Sequence, residues 1–120
     1  KEKMYDENNI FSKIIKGEIP CDKVYEDENV LFFNDISPMA KIHVLGIPKT
    51  PCLDFSDFVI KCDPKIVADF FKKTESIINQ LGIRNSGYKI ISNSGINGGQ
   101  EVPHFHIHIL GGEKISFKDL

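Results

Sequence analysis

The spacing of hydrophobic residues changes along the chain and divides it into helical and extended segments. In residues 10–15 the apolar positions repeat at helical spacing, with Asn9 before them as a cap and Gly17 after them as a stop. The charged residues 1–8 carry no such pattern and are predicted to form a mobile arm. Residues 9–120 are predicted to form a single domain.

The longest helical pattern begins at Asp63-Pro64 and ends at Gly82. Asp63 can accept bonds from amides of the first turn, where Pro64 has no N–H to leave unpaired. Residues 50–61, before this helix, are predicted to form a loop with one short helical turn. One face of the long helix carries Ile66, Val67, Phe70, Phe71, Ile77, Ile78 and Leu81.

Five segments have the character of strands. Residues 23–26 and 30–34 flank an Asp-Glu-Asn turn and are predicted to form a hairpin. The other strands are predicted at residues 42–47, 88–93 and 104–110. This order of helices and strands predicts an α+β domain built on a mainly antiparallel sheet.

Composition narrows the class of protein. The chain has 120 residues, a formal net charge of -2 and a pI near 6.1, so no overall basic field draws it to nucleic acid or to an anionic membrane. The apolar stretch nearest the start, residues 10–15, is interrupted by Ser12 and Lys13, so it is predicted to be neither a signal-peptide core nor a membrane span. The cysteines Cys21, Cys52 and Cys62 are odd in number and widely spaced, which is typical of proteins in a reducing compartment. A cytoplasmic location is therefore predicted.

The candidate chemistry is concentrated near the end of the chain, in the segment HFHIHIL. His104, His106 and His108 alternate with apolar residues, and alternate residues of a strand share one face. The three imidazoles are therefore predicted to line up at intervals of about 6.5–7 Å, with the apolar residues facing the core. The glycine-rich residues 94–99 precede them and can approach a ligand closely.

Two uses of these imidazoles fit the residues. An adjacent pair, with His43, could bind zinc, although three side chains spread over about 13–14 Å cannot all reach one ion. Alternatively, one imidazole attacks a phosphorus or acyl centre while a neighbour fixes its tautomer and backbone amides of the glycine loop bind the anionic oxygens.

The segment HFHIHIL resembles the signature of the histidine triad (HIT) nucleotide-binding family. The blocks NIFSKIIKGEIP, YEDENVLFFNDISPMAKIHVLGIPK and GYKIISNSGINGGQEVPHFHIHILGG are similar, in order, to those of its HINT branch. The resemblance implies a five-stranded antiparallel sheet with one long and one short helix. It also implies that the sheet continues across a homodimer.

The resemblance implies a hydrolase that cleaves purine nucleoside phosphoramidates or acyl-adenylates to the nucleoside monophosphate. The matching position for the nucleophile is His106, which would form a nucleotidyl-histidine. His104 and His108 would orient the groups around it, and His43 would take part in proton transfer. Two alternatives stay open: a purine nucleotide-binding regulatory module with little turnover, and a metal-binding protein.

The resemblance also assigns the binding residues. Asp35 matches the carboxylate that holds the ribose hydroxyls, which suits the chemistry because adjacent hydroxyls donate in pairs. The base pocket is assigned to Phe11, Phe33 and Ile36, and the contacts around the phosphate to Asn93, Gly99, Gln100, Glu101 and Val102.

The chain departs from the family pattern at several positions. Asn9, Ser12 and Pro51 replace residues that bind a structural zinc in some relatives, so no zinc and no other cofactor is predicted. Glu101 replaces a serine that bonds the leaving group in many relatives, and it is predicted either to donate a proton or to lie in solvent. The ending ISFKDL lacks the aromatic-proline tail of many eukaryotic members.

Overall fold

A computed structural model describes residues 3–116 and shows one antiparallel sheet in the strand order β1-β2-β3-β5-β4. The predicted α+β class and the five-stranded antiparallel sheet are confirmed. The last two strands are shorter than predicted. The strands are β1 Lys23–Glu26, β2 Val30–Asn34, β3 Ile42–Pro48, β4 Tyr88–Ile91 and β5 Ile107–Gly111, and the helices are α1 Ile10–Ile15, α2 Phe55–Lys61 and α3 Pro64–Gln80.

The two faces of the sheet carry separate apolar clusters. Helices α2 and α3 cover one face, where Phe58, Phe70 and Phe105 pack with Ile107 and Ile109 of β5. Helix α1 covers part of the other face, where the cluster consists of Phe11, Leu31, Phe33, Leu45 and Ile47. Because side chains alternate along a strand, His108 lies on the α1 face, between two residues of the opposite face.

The predicted helix starts are confirmed. The Ser12 N–H donates to the Asn9 side chain at 2.9 Å, which caps α1. The Lys65 N–H donates to the Asp63 carboxylate at 2.8 Å, which caps α3. Strands β1 and β2 pair as the predicted hairpin.

The prediction of a single helical turn in residues 50–61 was wrong, because α2 runs for two turns. Its start is fixed by two reciprocal bonds: the Asp57 N–H donates to Asp54 at 2.9 Å, and the Leu53 N–H donates to Asp57 at 2.8 Å. The fully buried Phe58 then anchors the helix on the sheet. Residues 3–116 therefore contain three helices, and none of them is long and apolar enough to cross a bilayer.

The prediction of a strand from His104 was also wrong, since β5 begins at Ile107. The His104 N–H donates to the Val102 carbonyl and the Phe105 N–H donates to the Cys52 carbonyl, both at 2.9 Å. These bonds bend the chain away from the sheet ladder. As a result the three imidazoles do not form an even row, and each has different surroundings.

Candidate active site

A cavity of about 1010 Å³ lies between α1 and its face of the sheet. It brings together most of the residues predicted for the site, while His43, His104 and Gln100 do not line it. The predicted residues that line it are Phe11, Phe33, Asp35, Ile36, Asn93, Gly99, Glu101, Val102, His106 and His108.

His106 enters the cavity with a defined tautomer. Its Nδ1 lies 2.8 Å from the carbonyl oxygen of His104, and a carbonyl only accepts, so Nδ1 carries the proton. The lone pair is therefore on Nε2. Burial lowers the pKa of His106, which keeps the ring neutral near neutral pH. The ring of Phe11 contacts it edge-on, with centroids 4.8 Å apart.

His104 supports His106 from behind the cavity wall. Its Nε2 donates to the Pro48 carbonyl at 2.8 Å, so its Nδ1 accepts from the hydroxyl of Tyr5 at 2.6 Å. The side chain is fully buried. Tyr5 belongs to the predicted mobile arm, and this contact fixes that part of the arm to the domain; residues 1–2 lie outside the described residues.

His43 and His108 are joined by a hydrogen bond, and the tautomer of each ring is defined. The Met39 N–H donates to Nδ1 of His43 at 3.1 Å, so Nε2 of neutral His43 carries the proton. This Nε2–H donates to Nδ1 of His108 at 2.9 Å. His108 is thus left with an N–H on its Nε2, a hydrogen-bond donor on a residue that lines the cavity.

Asp35 follows β2 and places its half-buried carboxylate on the cavity wall. One oxygen accepts the Ser37 N–H at 2.8 Å, and the other lies 3.4 Å from Nε2 of His43. Because a carboxylate has about four acceptor sites, it keeps capacity for further donors such as hydroxyl groups.

Asp35, His43 and His108 are also the residues that could hold a metal ion within the described part of the chain. One ligand atom from each lies within 4.8 Å of the others. Nε2 of His43 and Nδ1 of His108 already share a hydrogen bond, which an ion would have to replace. The absence of a metal or other cofactor stays a prediction.

The loop between β4 and β5 forms another part of the wall. The Asn93 side-chain amide donates to the Gly98 carbonyl at 2.7 Å and holds the loop closed. A Cβ at Gly98 would lie 2.3 Å from the Ser94 carbonyl oxygen, so this position requires glycine. Gly99 has a φ of 74°, which favours glycine as well.

Two backbone amides of this loop are used within the loop itself. The N–H groups of Gly99 and Gln100 each donate to a loop carbonyl at 3.0 Å. The binding of anionic oxygens by amides of the glycine loop stays a prediction. The Gln100 side chain donates to the carbonyls of Leu53 and Val102 and accepts the Gly95 N–H. Gln100 therefore fixes the loop from behind.

The cavity includes residues that sequence reasoning missed. Leu45 comes two residues after His43 on the same strand, and this alternation could have placed it in the wall. Cys21, which was not among the residues predicted for the site, also lines the cavity. Tyr5 had no detectable signal, because a single tyrosine in a charged segment has no periodic context.

The buried imidazoles are expected to make folding sensitive to acid. Burial lowers the pKa of His104 from its ordinary 6.5 to about 4. Below pH 6.5 the unfolded chain therefore binds a proton that the folded chain does not, so stability falls as the pH decreases toward 4. A pKa difference of this size corresponds to about 3 kcal/mol.

Urea unfolding at pH 7 and pH 5 checks this expectation. The free energy of unfolding should be lower at pH 5, and the decrease should be smaller in His104→Asn, which lacks the titrating ring. Equal decreases in the wild-type protein and the variant would contradict the assignment to His104.

Three groups converge on an apolar cavity beside the antiparallel sheet. They are a neutral imidazole with a free Nε2, a carboxylate, and a second imidazole that offers an N–H. These features define a class of proteins whose site can attack an electrophilic centre through histidine. The family model described as the HIT domain matches residues 16–115, so the chain belongs to the HIT family.

The chain is similar to relatives along almost its whole length. It is 41% identical to an uncharacterized HIT-like protein of Rickettsia prowazekii, over 93% of both chains. It is also 41% identical to the purine nucleoside phosphoramidase of Escherichia coli K12, over 91% of both chains. A solved HIT family hydrolase from Legionella pneumophila superposes with a TM-score of 0.86 at 38% identity, covering 93% of this chain and 99% of that one.

Proposed function

We propose that the chain is a nucleotide-binding hydrolase that cleaves purine nucleoside phosphoramidates or acyl-adenylates to the nucleoside monophosphate. The observation that carries this proposal is the tautomer of His106. Its proton is held on Nδ1 by the His104 carbonyl, so Nε2 is a neutral nucleophile at the cavity. The similarity to a purine nucleoside phosphoramidase supports the choice of substrate class.

In the first step, Nε2 of His106 attacks the α-phosphorus of the substrate. In a phosphoramidate the bond from phosphorus to the leaving nitrogen breaks, and the nitrogen takes the bonding pair and one proton from solvent. In an acyl-adenylate the bond from phosphorus to the acyl oxygen breaks, and the carboxylate leaves with the bonding pair. The positive charge that develops on the His106 ring is stabilised by the His104 carbonyl, 2.8 Å from Nδ1. The Nε2–H of His108 can donate to a phosphoryl oxygen.

In the second step, water attacks the phosphorus of the nucleotidyl-histidine. The bond between phosphorus and Nε2 breaks, its electron pair returns to His106, and one proton is released to solvent. The products are the nucleoside monophosphate and the free enzyme. His43 is placed to assist through its 2.9 Å bond to His108.

The apolar part of the cavity wall is assigned to the nucleoside. Phe11 and Phe33 lie edge to face, with centroids 5.8 Å apart, and provide apolar surface for a purine ring. Ile36 is almost fully exposed at the cavity wall and could cover the base. Asp35 keeps acceptor capacity for the ribose hydroxyls.

A rapid-quench experiment tests the proposal. The protein is mixed with adenosine phosphoramidate, and its intact mass and AMP release are followed together. We expect a transient mass increase of one adenylate that decays as AMP appears. Protein that binds AMP but forms neither the adduct nor AMP would contradict the hydrolase and favour a regulatory nucleotide-binding module.

The homodimer and the cytoplasmic location stay predictions. One feature supports the dimer: β4 is an edge of the sheet, and it exposes Tyr88 and Ile90. An edge strand with apolar side chains can pair with a second copy and continue the sheet.

A further inference from the structure

The charged side chains around the cavity all have the same sign. Its carboxylates are Asp22, Asp35 and Glu101, and no lysine or arginine lines it within residues 3–116. Protein sites for phosphate groups commonly use arginine or lysine, which neutralise the charge. A cavity walled by three carboxylates opposes ligands with several negative charges.

The histidines of the cavity do not compensate for this charge. Burial lowers the pKa of His106, and it lowers the pKa of His108 to about 4. Both rings are therefore neutral near neutral pH. The site can hold a phosphoryl group through hydrogen bonds, but it offers no full positive charge to additional phosphates.

Glu101 is the carboxylate closest in sequence to the proposed nucleophile. It stands on the segment that leads into His106, while Asp22 and Asp35 come from the ends of β1 and β2. Its side chain is exposed at the wall, and within residues 3–116 its carboxylate has no hydrogen-bond or ion-pair partner. Its charge is therefore available to a bound molecule.

We propose that the site selects its substrates by charge, with Glu101 as the specificity-determining residue. Preferred substrates carry a single phosphoryl group and a leaving group with a positive charge, such as a diamine or an aminoacyl group with its free ammonium. Nucleotides with further phosphates and leaving groups with a carboxylate are disfavoured. This inference rests on the proposed function and specifies its substrate class.

Three adenosine phosphoramidates test the proposal. Their leaving amines are ethylenediamine, propylamine and β-alanine, which are cationic, neutral and anionic at the free end. We expect kcat/KM to decrease in that order in the wild-type protein. In Glu101→Gln the ratio between the cationic and anionic substrates should fall roughly tenfold.

The exposed Glu28 provides the matched control, because it lies in the turn between β1 and β2 and does not line the cavity. Glu28→Gln removes the same charge and should leave the ratio unchanged. Comparing ratios between proteins cancels the different reactivities of the three amines. An unchanged ratio in Glu101→Gln would overturn the proposal, even when the neutral substrate is turned over normally.

A binding measurement keeps the two proposals separate. In the wild-type protein the affinity should decrease from AMP to ADP to ATP, and Glu101→Gln should recover part of the loss. Equal or tighter binding of ATP would overturn charge selection, whatever the turnover. Failure to turn over the neutral propylamine substrate would contradict the hydrolase, while the binding series still decides charge selection.

Discussion

Replacing His106 with alanine is expected to lower kcat for adenosine phosphoramidate by at least about 10⁴-fold. Among the described residues, His106 is the only imidazole on the cavity wall that has a free Nε2 and an Nδ1 bonded to a carbonyl. The variant lacks this ring. Without it the nucleotidyl-enzyme cannot form. The measurement is steady-state AMP release, together with intact mass after rapid quenching.

The His106→Ala result needs two controls, because the ring is buried. AMP should bind to the variant within a few fold of the wild-type affinity, since the proposed nucleoside contacts of Asp35 and Phe11 remain. His108→Ala should lose less activity, about 10²–10³-fold, because it removes a hydrogen-bond donor and not the nucleophile. AMP release by His106→Ala at a rate near that of the wild type would refute nucleophilic catalysis by this residue.

The largest effect on stability is expected from Phe70→Ala, which should lower the free energy of unfolding by about 3–5 kcal/mol. Phe70 is fully buried on α3. Its ring centroid lies 5.4 Å from that of Phe58, 5.6 Å from that of Phe105 and 5.9 Å from that of Phe32. Its removal leaves a cavity where α2, α3 and the sheet meet. A loss of this size is a large part of the stability of an ordinary domain.

Phe71→Ala is the matched control, because Phe71 is the next residue on the same helix and is 37% exposed. Phe71→Ala should lower the free energy of unfolding by about 1 kcal/mol, since the ring is partly exposed and its removal leaves a smaller cavity. Urea unfolding at one fixed protein concentration measures both variants. Similar losses for Phe70 and Phe71 would show that the aromatic cluster does not carry the stability assigned to it.

The fold of this protein was largely accessible from local sequence patterns. The cap at Asp63, the following Pro64 and a long apolar stripe predict α3, because capping and helical periodicity are properties of neighbouring residues. Helix α2 was underestimated because its reciprocal caps, Asp54 and Asp57, resemble the polar residues of a loop. Two aspartates three positions apart before an apolar run were the signal.

The sequence predicted which residue types form the candidate site but not how they are arranged. Alternation in HFHIHIL predicts one face for His104, His106 and His108. The structure separates them, because the bonds of His104 to Val102 and of Phe105 to Cys52 start the strand three residues later. The Cys52 carbonyl lies in a distant segment of the chain, so no local pattern contains this partner.

The sequence by itself determined most of the elements, the apolar face of α3 and the set of residues that could do chemistry, because these depend on residue identity and short-range spacing. Only the tertiary structure decided which ring carries a free nitrogen. That choice depends on the carbonyls of Pro48 and His104 and on the Met39 amide, and hydrogen-bond partners brought together by folding fix the tautomer of each imidazole.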